Sequence, residues 1–390
     1  MSTRFGRRRF LAGAGVIAGA SVVGGSAAAT TPELPGDSPT ATIPFFGAHQ
    51  AGIAETPQAQ VTIVAFDLLP GIRADDVRRL LRVWTEDAQR LTQGRPALAD
   101  TEVELALIPA RLSVTIGFGP KIPALVGGAD KLDWLAPLPD FRIDRLMDQW
   151  SHGDLVLQVA SDDPITVAHA VRMMQKDSQS FARVRWSQRG FLRAPGSQEP
   201  GSTPRNLMGQ LDGTVNPGAE ELDQVVWINE GPQWLHNGTG MVVRRIRMNL
   251  DGWDTLSRLE KEAVMGRRLD SGAPLSGTQE HDTPDFEARD ETGLTIIPEF
   301  SHVRLSHGDG TQRIRRRGYN YDDGFVRGRA DLGLIFVAFC RDVNEQFVPM
   351  QRRLARQDVL NTWTTPIGSA VFAVPPGCTE GGYIGETLFG

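Results

Sequence analysis

The order in which strand-like and helix-like segments follow one another constrains the fold of this chain most. Early in the chain, Val77, Leu80, Leu81 and Trp84 recur at helical spacing, which predicts an amphipathic helix. The predicted segments of the first half are, in chain order, a strand at residues 61–68, a helix from 77, strands at 112–118 and 154–160, a helix from 164 and a strand at 181–186. This order is the split β-α-β arrangement of a ferredoxin-like domain. Strict apolar alternation in residues 112–118 predicts a strand with only one buried face.

The second half repeats this pattern after residues 190–205, a segment rich in Gly, Pro and Ser that predicts a domain boundary. The elements predicted here are strands at 241–248 and 332–339, a helix capped by Asp251 or Asp254, a short extended segment at 302–305 and a helix at 344–354. We therefore expect an α+β protein with antiparallel sheets, built from two ferredoxin-like domains at residues 45–200 and 201–390. Between these elements, residues 269–299 form an irregular segment long enough to be a functional loop.

The N-terminus carries an export pattern. Residues 7–11 read RRRFL, a weakly apolar run rich in Gly and Ala follows, and residues 27–29 offer an Ala-x-Ala cleavage site. Residues 1–29 are therefore predicted to be a twin-arginine signal peptide that engages the twin-arginine translocase, and 30–44 a flexible leader. The alternative is an uncleaved membrane anchor. No other stretch has the roughly 18 apolar residues that span a bilayer, so we expect no stable membrane insertion.

Composition narrows the classes of partner and site. The formal net charge is -6, so no overall basic field recruits nucleic acid. The cysteines are Cys340 and Cys378, which excludes a disulfide framework and a CxxC metal site. One disulfide between them remains open, although the apolar surroundings of Cys340 favour a buried free thiol.

The stretch at residues 300–324 combines a histidine with a basic cluster. His302 is followed by Arg304 and by three arginines at 315–317. A neutral imidazole is a good axial ligand for a haem iron, and a guanidinium near the iron stabilises the negative charge that develops as an O–O bond breaks. Arginines of this stretch can also pair with haem propionates. The alternatives are a turn or core histidine, with His307 as a rival ligand, and a solvated basic patch.

A second candidate group is the carboxylate of the GQLDGT segment, residues 209–214. Asp212 can shuttle a proton if it lies within hydrogen-bond reach of the reacting oxygen. The flanking Gly209 and Gly213 let the backbone approach a large flat cofactor. The alternative is an ordinary Asp-Gly turn.

Apolar and aromatic residues near these motifs are weaker candidates. Leu334 and Phe336 lie in an apolar run and can cover one side of a cofactor, but by themselves they are better explained as core residues. Tyr319 and Tyr321 can carry an electron outward, although aromatic residues near arginine usually only pack.

Taken in order, these motifs resemble the dye-decolourising peroxidase family. RNLMGQLDGTVNP, RRLDSGAPLSG, SHVRLSH and IRRRGYNY carry the resemblance, together with PFFGAHQAGI near the start and LIFVAFCRD near the end. It extends from residue 44 to the C-terminus and is greatest with the twin-arginine-exported branch, which includes the deferrochelatase/peroxidase proteins. The most specific motif is the family's GxxDG element, here residues 209–213.

The resemblance implies haem b bound in the second of two ferredoxin-like domains, with His302 as the proximal ligand of the iron. It places the distal aspartate on Asp212 and the distal arginine on Arg316, with Arg317 as the alternative. The residues then expected to contact the cofactor are His302, Arg304, Gly213, Thr214, Arg316, Leu334 and Phe336.

The implied activity is reduction of hydrogen peroxide and oxidation of dyes, phenolics or other small one-electron donors through a ferryl species. The same pocket would also serve a deferrochelatase that releases iron from haem, or a haem carrier without enzymatic activity. The family further implies a homo-oligomer, and the export signal implies a periplasmic or extracellular enzyme.

Overall fold

The computed structural model describes residues 39–127, 131–199, 201–326 and 328–390. The predicted signal peptide and most of the predicted leader therefore lie outside the described residues. Within the described ranges, no helix is both long enough and apolar enough to cross a lipid bilayer.

The strands and helices predicted for the first half are present. Its elements are β1 (Gln60–Leu68), α1 (Ala74–Thr92), β2 (Ser113–Phe118), α2 (Lys121–Leu125), β3 (Leu155–Ser161), α3 (Pro164–Ser178) and β4 (Ala182–Phe191). The strands pair antiparallel in the order β2-β3-β1-β4. Helix α1 forms because Leu80, Leu81 and Trp84 share one completely buried face. Helix α3 begins where Asp163 accepts the N–H of Thr166 at 2.7 Å.

Strand β2 differs from its expectation of one exposed face, because all of its residues are buried. Its polar residues bond to the segment before β1 instead of water. Thr115 Oγ1 donates to the carbonyl of Ala51 at 2.6 Å, and Gln58 Nε2 donates to Ser113 Oγ at 2.8 Å. Apolar and polar residues do alternate along β2. The polar residues, however, form hydrogen bonds with protein groups rather than with the solvent that the alternation predicts.

The second half contains more strands than its sequence pattern predicts. Its elements are α4 (Leu222–Val225), β5 (Thr239–Met248), α5 (Leu250–Trp253), α6 (Arg258–Met265), α7 (His302–His307), β6 (Arg315–Arg316), β7 (Tyr319–Val326), β8 (Arg329–Cys340), α8 (Val348–Gln357), β9 (Thr364–Val374) and α9 (Glu386–Phe389). Short 3₁₀ turns lie at Val103–Ala106, Asp148–Trp150, Ala219–Glu221, Gln233–Leu235 and Val359–Thr362, and a π-helical turn at Val343–Phe347. Strands β9, β5, β8 and β7 pair antiparallel in that order, and β6 pairs with β8.

Two local predictions in this half are wrong. Residues 302–305 are helical, not extended, because they open α7, in which the N–H of Leu305 bonds to the carbonyl of Ser301 at 3.1 Å. The cap of α6 is Ser257, not Asp251 or Asp254. Ser257 and Glu260 form a reciprocal capping box.

The strands close into a ring because β5 pairs with both β9 and β8. Single residue pairs join the two halves, Phe118 with Ala373 between β2 and β9, and Phe191 with Asn320 between β4 and β7. The pairing is antiparallel throughout, so the described chain is an α+β protein.

Alternate residues of each strand face two different cores. Ile63, Val337 and Phe372 are among the residues of an apolar core shared by strands of both halves. The opposite face of the strands packs against the helices, for example Phe66 of β1 against Trp84 of α1. The site described next lies on the helix-facing side of β8.

Candidate active site

His302 lies at the first position of α7, with its imidazole held by a buried carboxylate. Its Nδ1 is 2.6 Å from Oδ2 of Asp358, whose side chain is only 3% exposed. The other oxygen, Oδ1 of Asp358, accepts the N–H of Leu360 at 2.9 Å. A carboxylate can only accept here, so Nδ1 of His302 donates, and Nε2 keeps its lone pair for a ligand.

Close packing of helices fixes the start of α7. Gly266 ends α6 with φ +83°, and an added Cβ would lie 2.4 Å from Cγ1 of Val303 and 3.0 Å from Oγ of Ser301. Only glycine permits this approach. At the other end of α7, Arg353 of α8 donates to the carbonyl of Leu305 at 3.1 Å. Together these contacts hold His302 against the segment that carries Asp358.

Asp212 lies in a turn that two glycines shape. Gly209 and Gly213 have φ +84° and +132°, values that favour glycine. The backbone N–H of Asp212 donates to the carbonyl of Pro204 at 2.8 Å, and Arg205 Nη1 donates to the carbonyl of Gly209 at 2.8 Å. The carboxylate of Asp212 is therefore presented on a tightly bonded turn.

Arg316 is the arginine that reaches this carboxylate. Its Nη1 lies 2.7 Å from Oδ1 of Asp212, and the two side chains are 31% and 17% exposed. Arg317, the alternative for this position, is buried and bonds instead to the carbonyl of Glu55 and to Gln58 Oε1. Because successive residues of a strand point to opposite faces, only one of the three neighbouring arginines is directed to Asp212.

Leu334 and Phe336 of β8 lie on the same face of the sheet as Arg316 of the paired strand β6. Arg316 is paired with Ala338, and residues 334, 336 and 338 alternate with the fully buried Ile335 and Val337. Leu334 and Phe336 are only partly buried, although they lie in the middle of an apolar strand. Partly covered apolar side chains beside a guanidinium form a wall suited to an apolar ligand with charged edges.

A small apolar core brings these parts together. Met208, next to the Asp212 turn, packs in this core with Val264 of α6, and Leu334 and Leu360 lie against it. Leu360 follows Asp358 closely in the chain. The core therefore joins the Asp212 turn, the β8 wall and the segment behind His302.

Other candidate residues make different contacts. Arg304 Nη1 donates to the carbonyl of Phe286, and its Nη2 lies 3.4 Å from Oε1 of Glu287, so it ties α7 to the long loop before it. Thr214 Oγ1 donates to Oε1 of Glu280 at 2.9 Å. Tyr319 and Tyr321 are completely buried.

The sequence interpretation missed two residues. Asp358 carries no local sign of its role, since 56 residues separate it from His302. Arg267 is also buried near the site; burial lowers the pKa of its guanidinium, the charge of Glu280 opposes this shift, and that of Arg316 adds to it. Its position in the RRLDSGAPLSG motif was the only available signal.

The donor set fits haem. His302 offers one neutral nitrogen backed by a carboxylate, the arrangement that raises the basicity of an axial ligand. Leu334 and Phe336 offer apolar contact, and Arg316 and Asp212 offer polar groups. Among the described residues, no group of three or more His, Cys, Asp or Glu side chains is arranged to hold a metal ion by itself.

Comparison with known proteins yields family models for both halves. The model described as Dyp-type peroxidase, N-terminal, matches residues 50–192, and the model described as Dyp-type peroxidase, C-terminal, matches residues 203–379. The two matches together span more than half of the chain.

Individual relatives are similar over most of their length. The chain is 39% identical to a dye-decolorizing peroxidase from Thermobifida fusca, over 98% of this chain and 96% of the relative. It is 33% identical to a deferrochelatase from Yersinia pestis, over 98% and 94%. Among solved structures, a DyP-type peroxidase from Cellulomonas bogoriensis superposes with a TM-score of 0.88 at 50% identity, covering 92% of this chain and 99% of that one.

Proposed function

This chain belongs to the Dyp-type peroxidase family and is a haem-dependent peroxidase, and on that premise we propose that His302 holds haem b while Asp212 and Arg316 act on hydrogen peroxide. Haem supplies the iron at which peroxide binds and through which electrons pass. The remaining chemistry belongs to side chains of this protein.

His302 would hold the haem iron through Nε2, and Asp358 orients the ring by accepting a hydrogen bond from Nδ1. Asp212 takes a proton from one oxygen of peroxide and returns it to the departing oxygen, which leaves as water. Arg316 donates from its guanidinium to the same oxygens and stabilises negative charge on them. Leu334 and Phe336 cover the cofactor and keep bulky donors away from the peroxide.

One observation carries this assignment. The carboxylate of Asp212 and the guanidinium of Arg316 lie 2.7 Å apart, although the two residues come from a turn and a strand far apart in the chain. A proton carrier and a fixed positive charge side by side are what heterolysis of an O–O bond requires.

The domain architecture and the electron donors are part of the same proposal. Each half is ferredoxin-like, which the strand order β2-β3-β1-β4 and the two helices α1 and α3 support for the first half, and haem lies in the second half. The boundary between the domains lies between residues 200 and 201, which the gap between the two family matches supports. The donors are dyes, phenolics or other small one-electron donors.

Export belongs to the proposal as well. The RRRFL pattern at residues 7–11 and the Ala-Ala-Ala at 27–29 support passage through the twin-arginine translocase to the periplasm or the exterior. The enzyme then acts there as a homo-oligomer.

The test replaces the axial ligand. His302→Ala, purified with haem supplied, should lose most of its Soret absorbance per protein and its peroxide turnover. His307→Ala is the matched control, because His307 belongs to the same helix but packs against Phe286, with ring centroids 5.0 Å apart. If His302→Ala kept both the Soret band and turnover, the assignment would be wrong.

A second candidate function is release of iron from haem, favoured by the 33% identical deferrochelatase relative. The same pocket would serve it. Anaerobic incubation of the haem-loaded protein should then produce the fluorescence of metal-free protoporphyrin. Absence of that fluorescence alongside rapid peroxide turnover would leave the peroxidase function alone, and absence of both would indicate a haem carrier.

A further inference from the structure

The side chain of Asn216 binds the backbone of Arg316 from both sides. Its Nδ2 donates to the carbonyl of Arg316 at 2.8 Å, and its Oδ1 accepts the N–H of Arg316 at 2.8 Å. An amide that donates to and accepts from one residue reproduces the bonding of a neighbouring β-strand.

Arg316 needs such a partner because, in the described part of the chain, β6 has a neighbouring strand, β8, on one side only. The N–H of Arg317 donates to the carbonyl of Val337 in β8 at 2.9 Å. Alternate residues of an antiparallel strand bond in opposite directions, so the N–H and carbonyl of Arg316 point away from β8. Without Asn216 these two groups would be an unpaired strand edge.

Asn216 belongs to the same turn as Asp212. The N–H of Asn216 donates to the carbonyl of Gly213 at 3.0 Å, which closes the turn directly after Asp212. In addition, Arg315 Nη1 lies 3.3 Å from the carbonyl of Pro217. The turn that presents the carboxylate is therefore docked onto the two-residue strand that presents the guanidinium.

The outer arginines hold the opposite face of β6. Arg315 Nε donates to the carbonyl of Ile53 at 2.6 Å, and Arg317 bonds to Glu55 and Gln58 of the same loop. These contacts hold β6 against that loop, whereas the amide of Asn216 joins β6 to the turn of Asp212.

We infer that Asn216 is a positioning residue for the peroxide reaction, which sets the separation between the Asp212 carboxylate and the Arg316 guanidinium by clamping the Arg316 backbone. This inference deepens the proposed function and rests on it. Asn216 itself touches neither peroxide nor haem in this assignment. A displacement of about 1 Å between groups that act together can cost about a hundredfold in rate.

The experiment is a double-mutant cycle with Asn216→Ala and Arg316→Ala in haem-loaded protein. The measured quantity is the second-order rate constant for peroxide reacting with the ferric enzyme. Each single variant should be slower, Asn216→Ala by about tenfold to a hundredfold. In the Arg316→Ala background, Asn216→Ala should change the rate by less than about twofold, because the group that it positions is already gone.

A second readout does not depend on turnover. Fluoride binds ferric haem and accepts hydrogen bonds from neighbouring donors, so its affinity reports the placement of the guanidinium. Asn216→Ala should weaken fluoride binding, measured per bound haem. Asn229→Ala is the matched control, since Asn229 is exposed and its Nδ2 donates to the carbonyl of Asp223 at 3.4 Å.

The outcomes separate the two claims. If Arg316→Ala reacts with peroxide as fast as the unaltered protein, the proposed function fails, and this inference fails with it. If Arg316→Ala is slow but Asn216→Ala is unaffected, or the two effects simply add, the inference alone is overturned. The same holds if Asn216→Ala loses its rate only in proportion to lost Soret absorbance or lost thermal stability. It also holds if the fluoride affinity per bound haem is unchanged in that variant.

Discussion

At the scale of single residues, the proposed active site rests on two pairs of side chains in direct contact. His302 with Asp358 and Asp212 with Arg316 are separated by 2.6 Å and 2.7 Å, distances typical of charge-assisted hydrogen bonds. In each pair one member directs the other. Asp358 orients the imidazole by accepting from Nδ1, while Arg316 holds positive charge beside the carboxylate to which we assign the proton transfer.

Removing the acceptor behind His302 should weaken haem retention. In Asp358→Ala, Nδ1 loses its partner and the ring loses both its orientation and part of its basicity. We expect haem to dissociate about tenfold to a hundredfold faster, measured by transfer of haem to an excess of haem-free globin.

The matched control for this change is Asp342→Ala. Asp342 is also a capping aspartate, whose Oδ1 accepts the N–H groups of Asn344 and Glu345 at 2.7 and 3.0 Å. The Asp342→Ala variant loses a helix cap of the same kind but no contact with a histidine. Equal acceleration in both variants would show that the cap, not the histidine contact, retains haem.

At the scale of elements, the placement of α7 depends on how closely α6 approaches it. Gly266 provides this approach through a left-handed backbone and the absence of a side chain. Val264 of α6 packs in an apolar cluster with Met208, Met248 and Trp253. The position of His302 is thus a consequence of helix packing rather than of the local sequence of α7.

Gly266→Ala should therefore destabilise the protein by more than backbone strain alone. At φ +83° an alanine costs about 1 kcal/mol, and its Cβ would meet Val303 at 2.4 Å. We expect a total loss of about 2–4 kcal/mol in the free energy of unfolding, measured by denaturant unfolding.

Gly324→Ala separates the two causes. Gly324 has a similar φ of +76° but no atom within 4 Å of an added Cβ, so it should lose only about 1 kcal/mol. Equal losses in the two variants would contradict the close-approach argument for Gly266.

At the scale of the whole molecule, the closed ring of strands is covered by helices that bury ionisable groups far from the active site. Asp87 of α1 is 1% exposed, and its carboxyl interacts with that of Asp177 in α3. Burial and the neighbouring charge of Asp87 raise the pKa of Asp177 to about 7. Two carboxyl groups so close together in a buried site share a proton.

This pair should make stability fall as the pH rises from about 4 to 7. In that window the unfolded carboxyl, with its ordinary pKa of 3.8, is ionised while the folded one keeps its proton, so the folded state binds more protons. Asp177→Asn supplies a neutral donor to Asp87 and should stabilise the protein by about 1–2 kcal/mol at pH 8, with little gain at pH 4.

The measurement is thermal or denaturant unfolding across pH 4–8. Asp140→Asn, in an exposed loop, is the control and should follow the unaltered protein at every pH. A constant difference between Asp177→Asn and the unaltered protein from pH 4 to pH 8 would contradict the shared proton.

What the sequence determined by itself is local. The period of apolar residues predicted α1 and α3, and β-rich runs predicted β1, β5 and β8. These patterns arise because a helix or strand that buries one face carries apolar residues at a regular spacing. The motifs likewise predicted His302, Asp212 and Arg316 as site residues by residue type and order, and their roles stay a prediction. These features depend on neighbours a few residues away.

Only the tertiary structure decided which distant groups meet. It paired His302 with Asp358, made residues 302–305 helical, and turned Arg316 rather than Arg317 towards Asp212. It also placed β9 between β5 and β2, a strand that was not predicted from the sequence. Such contacts are stabilised by packing between segments far apart in the chain, so no local pattern encodes them.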